Sequence, residues 1–206
     1  MKKCESCLQK RRTTRKLGAR MYCLKCESKL LRTPRKPLTE RATVLATELH
    51  EGQVRKGTDI PYITHPVAVA ALVTYYGGND AQVAAALLHD TVEDCAAEAL
   101  ERIRAECGKV VAKLVLEVTK PVGSSKPEQV AHLVRASKEG ALVSACDKLH
   151  NMLCIINDGG KWERFKGGRE QVLAYYSTVC PMLAWKLGRL DVERALRKRL
   201  ELLVLV

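Results

Sequence analysis

The 206-residue sequence lacks the long apolar segment that a membrane span requires. No stretch reaches the roughly 18 consecutive apolar residues needed to cross a bilayer. The start, Met1-Lys2-Lys3-Cys4, is not followed by the apolar core of a signal peptide. These absences predict a cytoplasmic protein with no membrane partner.

Strand-like alternation of apolar and polar residues is also missing over any length comparable with the helical patterns. From residue 38 onward, apolar residues recur at helical spacing, as in Ala42, Leu45, Ala46 and Leu49. The pattern predicts an all-α domain over residues 38–206, with one helix spanning Ala81 to Asp94 and another starting at Pro66. The segments 119–128 and 157–168 are predicted to be flexible loops.

Residues 1–33 have few branched aliphatic side chains, so an ordinary apolar core is not available to them. Two Cys-x2-Cys pairs lie in this segment with fifteen residues between them, the spacing of structural zinc sites. Four thiolates leave no open position on Zn²⁺, so the metal is predicted to fold a zinc-ribbon or zinc-knuckle module. Residues 34–37 are predicted to be a linker. The predicted Zn²⁺ ligands are Cys4, Cys7, Cys23 and Cys26.

Positive charge is concentrated at the same end of the chain. Residues 1–41 hold 14 of the 35 Lys and Arg residues against 3 acidic ones, which leaves the other 165 residues with a net charge of only +1. A basic module separate from a nearly neutral domain predicts a polyanionic partner such as RNA or a ribosome. The five remaining cysteines are scattered singly through apolar helical stretches, as buried thiols are.

Ionisable residues interrupt three apolar stretches of the larger domain. His89, Asp90, Glu93 and Asp94 end one predicted helix, where spacings of four would place them on one side. Asp147 and Asn151 share a face of another helix, and His65 stands at a helix entrance. Imidazoles and carboxylates from three segments favour a six-coordinate, Mn²⁺-like site with open positions for water.

Three blocks of the sequence resemble the hydrolase domain of the RelA/SpoT family over about residues 38–190. The blocks are Gly52–Gly57 with Pro61–Pro66, Ala86–Asp94, and Asp147–Asn151. The resemblance implies an all-α HD fold and Mn²⁺ as catalytic cofactor. It also implies hydrolysis of the 3′-pyrophosphate of guanosine tetra- or pentaphosphate, (p)ppGpp, to GDP or GTP and pyrophosphate.

The resemblance implies a role for each residue at a matching motif position. The implied Mn²⁺ ligands are His65, His89, Asp90 and Asp147. The residues implied to position or deprotonate water are Glu93 and Asp94. The implied substrate contacts are Arg55, Lys56, Asn151 and Tyr176. Outside this set, His150 is interpreted as a packing residue rather than one that orients a ligand, and His50 as either a pocket residue or an ordinary helix-end histidine.

Other functions remain open at this point. The sequence has no room for the family's synthetase domain, so the chain is expected to hydrolyse and not to synthesise. A toxin synthetase as partner and an oligomeric assembly both remain open. A second hypothesis keeps the metal site but changes the substrate to NADPH, a deoxynucleoside triphosphate or a pyrophosphorylated tRNA end. A third makes the chain a zinc-finger RNA-binding protein with the helical domain as scaffold.

Overall fold

The computed structural model describes residues 2, 3, 5, 7–11, 14–17, 20–23, 36–95 and 98–206. Contacts divide the chain into two compact units, Met1–Lys36 and Pro37–Val206. Two residues of the predicted linker, at positions 34 and 35, lie outside the described part. The linker therefore stays a prediction.

The first unit contains two short antiparallel hairpins. Strand β1 (Lys2–Lys3) pairs with β2 (Lys10–Arg11), and β3 (Thr14–Leu17) pairs with β4 (Arg20–Cys23). The backbone N–H of Glu5 donates to the carbonyl of Met21 at 2.8 Å, which ties the two hairpins together. Cys4 and Cys26 lie outside the described residues and only the backbone of Cys23 is described, so the Zn²⁺ site stays a prediction.

The second unit is all-α, as predicted, apart from an isolated β-bridge between Val54 and Pro61 among its described residues. A single 3₁₀ turn, Trp162–Arg164, lies in the second predicted loop. The helices are α1 (Leu38–Leu49), α2 (Thr64–Tyr75), α3 (Asp80–Leu88), α4 (Thr91–Asp94), α5 (Ala99–Glu106), α6 (Lys109–Val118), α7 (Lys126–Arg135), α8 (Lys138–Asn157), α9 (Gly168–Leu187) and α10 (Leu190–Val204). None of the described helices is both long enough and apolar enough to cross a bilayer.

Helix α8 forms the centre of the second unit. It contacts α2, α3, α6, α9 and α10, and every residue from 140 to 149 is buried. A helix covered on all sides is expected to be apolar all round. Asp147 and Lys148 break that pattern, and buried charges of this kind are stable only when they are paired or bind a ligand.

The predicted helix Ala81–Asp94 is wrong in one respect that concerns the site. Helix α3 ends at Leu88 and α4 starts at Thr91, so His89 and Asp90 lie at a break. Two side chains compete for carbonyls of the last turn: the hydroxyl of Thr91 donates to Leu88 at 2.7 Å, and Nδ1 of His89 bonds Ala86 at 2.8 Å. Such side-chain bonds offer the backbone an alternative to a continued helix.

Helix starts also differ from prediction. Helix α2 begins at Thr64, two residues before Pro66, whose missing N–H is tolerated because the first turn has no intrahelical acceptors. Helix α7 begins at Lys126, inside the predicted loop 119–128. Its start is stabilised by a capping box in which the N–H of Ser125 donates to the Glu128 carboxylate at 2.7 Å.

Candidate active site

Four of the predicted residues converge from three parts of the second unit. His65 comes from the first turn of α2, His89 and Asp90 from the break after α3, and Asp147 from α8. Both imidazoles are buried, with 1% and 4% of their surface exposed. Nε2 of His65 lies 3.4 Å from Asp90 Oδ2 and 3.2 Å from Asp147 Oδ1. Nε2 of His89 lies 3.1 Å and 3.6 Å from the same two oxygens.

These distances fit ligands around one metal ion. Bonds of about 2.1 Å at right angles place neighbouring ligand atoms roughly 3 Å apart. Within the described residues, His65, His89 and Asp90 form a group whose ligand atoms lie within 4.8 Å of one another. Nε2 of His89 is buried and, although 3.1 Å from Asp90 Oδ2, forms no hydrogen bond of good geometry with the described residues, which is unfavourable unless a ligand satisfies it. These three side chains are therefore able to hold a metal ion, and Asp147 Oδ1, 3.2 Å from Nε2 of His65, lies next to them.

The outer ring nitrogens fix the orientation of both imidazoles. Nδ1 of His89 donates to the carbonyl of Ala86, which directs Nε2 into the cluster. Nδ1 of His65 lies 2.7 Å from Nδ1 of His150. Burial and the neighbouring His65 lower the pKa of His150 to about 4, so a neutral His150 can accept the His65 proton. The packing interpretation of His150 is thus incomplete, because the residue also contacts a predicted ligand.

The two ligand carboxyls remain ionised in this surrounding. Burial opposes the charge on Asp90, but His89 and His65 hold its pKa well below the usual range. Burial opposes the charge on Asp147 as well, and there Lys148 is the largest opposing influence on the pKa. The ammonium of Lys148 lies 2.6 Å from Asp147 Oδ2, while Oδ1 faces the imidazoles. Two anionic carboxylates beside two imidazoles form a set of ligands that favours a divalent cation.

The two adjacent carboxylates at the end of α4 have different environments. Asp94 lines the pocket, and its Oδ2 accepts from the Tyr62 hydroxyl at 3.2 Å. Glu93 lies outside the pocket lining and accepts from both the backbone N–H and the ammonium of Lys120, at 2.6 Å and 2.7 Å. Asp94 thus lies on the side of Asp90, as expected, since both contact the Tyr62 hydroxyl, whereas Glu93 points away from the pocket and does not.

Tyr62 connects the predicted ligands with Asp94. Its hydroxyl donates to Asp90 Oδ2 at 2.7 Å, and burial together with Asp90 raises its pKa. Its ring stacks on His50, with centroids 4.7 Å apart. His50 is buried and bonds Gln53 through Nδ1, so it supports Tyr62 from behind. Tyr62 lies within the Pro61–Pro66 block, but the sequence alone does not indicate which way its hydroxyl points.

A pocket of about 950 Å³ opens beside the cluster. Its lining includes the predicted ligands His65, Asp90 and Asp147, and the predicted substrate contacts Arg55, Lys56, Asn151 and Tyr176. Eight cationic side chains line it, which makes it suited to a polyanion. They are Arg55, Lys56, Lys120, Lys126, Lys148, Lys161, Arg164 and Lys166.

The predicted substrate contacts form part of one wall. The guanidinium of Arg55 donates to the Asn151 carboxamide oxygen at 3.0 Å and lies 5.3 Å from the ring centre of Tyr62. Asn151 in turn donates to Asp147 at 2.5 Å, which links this wall to the predicted ligands. Tyr176 is 7% exposed, so only its edge reaches the pocket. Sequence reasoning missed Lys120, Lys126 and Lys148, although Lys148 follows a predicted ligand directly.

Several known proteins are similar in sequence to this chain. A GTP pyrophosphokinase of Streptomyces coelicolor is 41% identical over 121 residues, covering 55% of this chain and 14% of that protein. The guanosine-3′,5′-bis(diphosphate) 3′-pyrophosphohydrolase MESH1 of Xenopus tropicalis is 39% identical over 118 residues, covering 54% of this chain and 65% of that protein. The match thus spans less than two thirds of the length of either relative.

A solved structure gives the same picture of the fold. It is described as a metazoan orthologue of SpoT that hydrolyses ppGpp, and it shares 25% identity with this chain. The superposition has a TM-score of 0.69 and covers 82% of this chain and 97% of that one. The HD domain family matches residues 42–159, more than half of the sequence, and the chain belongs to this family.

Proposed function

We propose that the chain hydrolyses the 3′-pyrophosphate of guanosine tetra- or pentaphosphate with Mn²⁺, releasing GDP or GTP and pyrophosphate. The observation that carries this proposal is the cluster of His65, His89, Asp90 and Asp147 at the edge of a cationic pocket of about 950 Å³. A pocket of this size and charge suits a nucleotide with two diphosphate groups. The names of the MESH1 relative and of the SpoT orthologue support the same substrate.

The metal would be held by two imidazoles and two carboxylates. Four protein ligands of this kind would leave positions open for water on a six-coordinate ion such as Mn²⁺. When bound, the ion supplies polarisation of the phosphoryl oxygen and a lower pKa for its water. The hydrogen bonds from His89 to Ala86 and from His65 to His150 hold both rings in the orientation that this requires.

Asp94 is the carboxylate best placed to take the proton of the attacking water. It lines the pocket, and it lies one hydrogen bond from Tyr62, which also contacts Asp90. Glu93 is occupied by Lys120 and would act by holding that ammonium at the pocket wall. The proposal therefore gives the two predicted catalytic carboxylates separate roles: Asp94 accepts the proton and Glu93 positions a cation.

Arg55 and Asn151 would orient the nucleotide. Their mutual hydrogen bond fixes the guanidinium at the pocket wall, where its flat face is able to stack on guanine. Lys56 adds charge at the same wall, and Tyr176 offers only its edge. These contacts account for binding of the base and ribose, while the chemistry belongs to the cluster.

The proposal also covers the zinc module and its partners. Cys4, Cys7, Cys23 and Cys26 are proposed to bind one Zn²⁺, and the basic unit is proposed to contact RNA or a ribosome. Elemental analysis of the purified full chain tests the first point: one zinc per chain is expected. A zinc content near zero in chain purified without chelators would contradict it. Absence of synthetase activity is also a prediction, checked by incubation with GTP and ATP.

The experiment that tests the main proposal is an assay of purified chain with guanosine tetraphosphate and Mn²⁺, with products resolved by anion exchange. We expect GDP and pyrophosphate in equal amounts. His89→Ala should release neither, because it removes a ligand. His132→Ala is the matched control, since that half-buried imidazole lies outside the pocket lining and bonds only the Leu116 carbonyl among described residues.

The outcomes separate the competing hypotheses. No turnover by folded wild-type chain would reject the alarmone substrate. The same preparation would then be tested with NADPH, deoxynucleoside triphosphates and pyrophosphorylated tRNA. Turnover that survives in His89→Ala would reject the proposed metal site. RNA binding without hydrolysis of any of these substrates would favour the zinc-finger RNA-binding function.

A further inference from the structure

Three lysines line one part of the pocket: Lys120 after α6, Lys126 at the start of α7 and Lys148 on α8. We call them the lysine wall. Lys120 pairs with Glu93 at 2.7 Å, and Lys148 pairs with Asp147 at 2.6 Å. Lys126 forms no ion pair with any carboxylate of the described residues. The wall therefore contains one positive charge that the protein itself does not neutralise.

Lys126 is held in place by an aromatic ring. Its ammonium lies 4.6 Å from the ring centre of Tyr175, and the ammonium of Lys148 lies 5.8 Å from the same centre. Its only other described partner is Gln129, at a long 3.5 Å. Burial, followed by Lys120 and Lys148, lowers the pKa of Lys126 against the opposing influence of Glu93. A ring that fixes two ammonium groups side by side prepares a site for an anion.

A second polar group beside Lys126 lacks a partner. The hydroxyl oxygen of Ser124 is buried and has no hydrogen-bond partner among the described residues, and Ser124 lines the same pocket. A buried hydroxyl without a partner is unfavourable, and a phosphate oxygen would accept its hydrogen. The unneutralised ammonium and the unsatisfied hydroxyl are independent observations, and both indicate the same kind of ligand.

The lysine wall begins beside Asp147, one of the predicted metal ligands. Asp147 directs Oδ1 toward His65 and His89 and Oδ2 toward Lys148. A diphosphate with its inner phosphoryl group at the cluster would therefore extend its outer phosphate toward the lysines. No carboxylate in the described residues pairs with Lys126, so this phosphate would supply its counterion.

We propose that Lys126 and Ser124, beside Lys120 and Lys148, form the subsite for the outer phosphate of the 3′-diphosphate, and so for the released pyrophosphate. The proposal rests on the function proposed above. In that reaction the water oxygen bonds to the inner phosphorus and the bond from this phosphorus to the ribose 3′ oxygen breaks. The 3′ oxygen keeps the electron pair and takes up a proton. The outer phosphate takes no part in bond breaking, so its subsite sets affinity and the choice of a 3′-diphosphate over a 3′-monophosphate.

Kinetics of Lys126→Ala with guanosine tetraphosphate, at buffered free Mn²⁺, test the proposal. We expect KM to rise about ten-fold with kcat nearly unchanged, because a contact made equally in ground and transition states affects binding alone. Inhibition by pyrophosphate should weaken about ten-fold, while inhibition by orthophosphate should change little. Lys126→Arg should restore most of the affinity because it keeps the charge. Lys113→Ala, at an exposed lysine on α6, is the matched control.

Direct binding keeps this test separate from the proposed function. Titration calorimetry of pyrophosphate into metal-free full chain should give weaker binding for Lys126→Ala and for Ser124→Ala than for wild type. That result would support the subsite even if guanosine tetraphosphate were not hydrolysed. Equal pyrophosphate affinity in wild type and Lys126→Ala would overturn the proposal. So would equal losses of pyrophosphate and orthophosphate inhibition, because the site would then not distinguish one phosphate from two.

Discussion

The two ends of the pocket carry opposite unbalanced charges. At one end, the carboxylates of Asp90 and Asp147 face the imidazoles of His65 and His89, and the buried Nε2 of His89 forms no hydrogen bond of good geometry in the described part of the chain. At the other end, the lysine wall holds an ammonium without a carboxylate. The first end is suited to a cation and the second to an anion. A nucleotide diphosphate bound with a metal ion would satisfy both ends, the ion at the imidazoles and carboxylates and the outer phosphate at Lys126.

The end of the pocket formed by His65, His89, Asp90 and Asp147 is called the metal end here. The largest expected effect comes from removing one of these predicted ligands. His89→Ala should lower kcat by roughly 10³-fold or more, because the metal contributes several kcal/mol to catalysis. The melting temperature of the metal-free chain should also fall, since the substitution leaves a cavity and removes the imidazole that holds the pKa of the buried Asp90 carboxyl low. Metal content by elemental analysis, activity and thermal unfolding check this. A variant that keeps both its Mn²⁺ and its activity would contradict the assignment.

The next effect separates the two carboxylates that end α4. Asp94→Asn should lower kcat by roughly 10²- to 10⁴-fold, the range for loss of a general base. Glu93→Gln should act more weakly and mainly through KM, because it weakens the hold on Lys120 without removing a group from the pocket. Steady-state kinetics of the two variants decide the point. A larger loss of kcat in Glu93→Gln would reverse the proposed roles.

A smaller effect is expected behind the metal end. His150→Ala removes the acceptor for Nδ1 of His65, so the Mn²⁺ concentration for half-maximal activity should rise roughly 10- to 100-fold. Excess Mn²⁺ should restore much of kcat, which a ligand variant would not show. Titration of activity with Mn²⁺ measures this, beside His132→Ala as control. Unchanged Mn²⁺ dependence would return His150 to a packing role.

His150 also makes the folding stability of the chain depend on pH. The pKa of His150 is about 4 in the folded chain and ordinarily about 6.5, so the unfolded state binds more protons between these values. This contribution is therefore complete above about pH 6.5 and is lost as pH falls toward 4. Thermal unfolding of metal-free wild type and His150→Ala across this range should show the difference in melting temperature shrinking at low pH. A constant difference would contradict it.

Much of the metal end was predictable, because its residues interrupt apolar helices. A histidine and an aspartate that directly follow an apolar stretch such as Ala84–Leu88 have few physical explanations other than pairing or ligand binding. The break at His89–Asp90 was not predictable, since it depends on side-chain bonds to backbone carbonyls. Lys126 was missed because an exposed lysine in a loop has the same appearance in sequence whether it faces solvent or Tyr175.

The smallest effect tests the scaffold behind the metal end. Asn79 caps α3, accepting from the N–H groups of Ala81 and Gln82 at 3.0 and 3.1 Å, and α3 leads directly to His89. Asn79→Ala should destabilise the chain by about 1 kcal/mol and lower the melting temperature by roughly 3 °C. The kcat should not change, because the packing of α3 against α2 and α8 fixes the end of the helix independently of its start. A loss of kcat beyond about two-fold would mean that the ligand geometry depends on the cap, and that the metal end is less rigid than its burial implies.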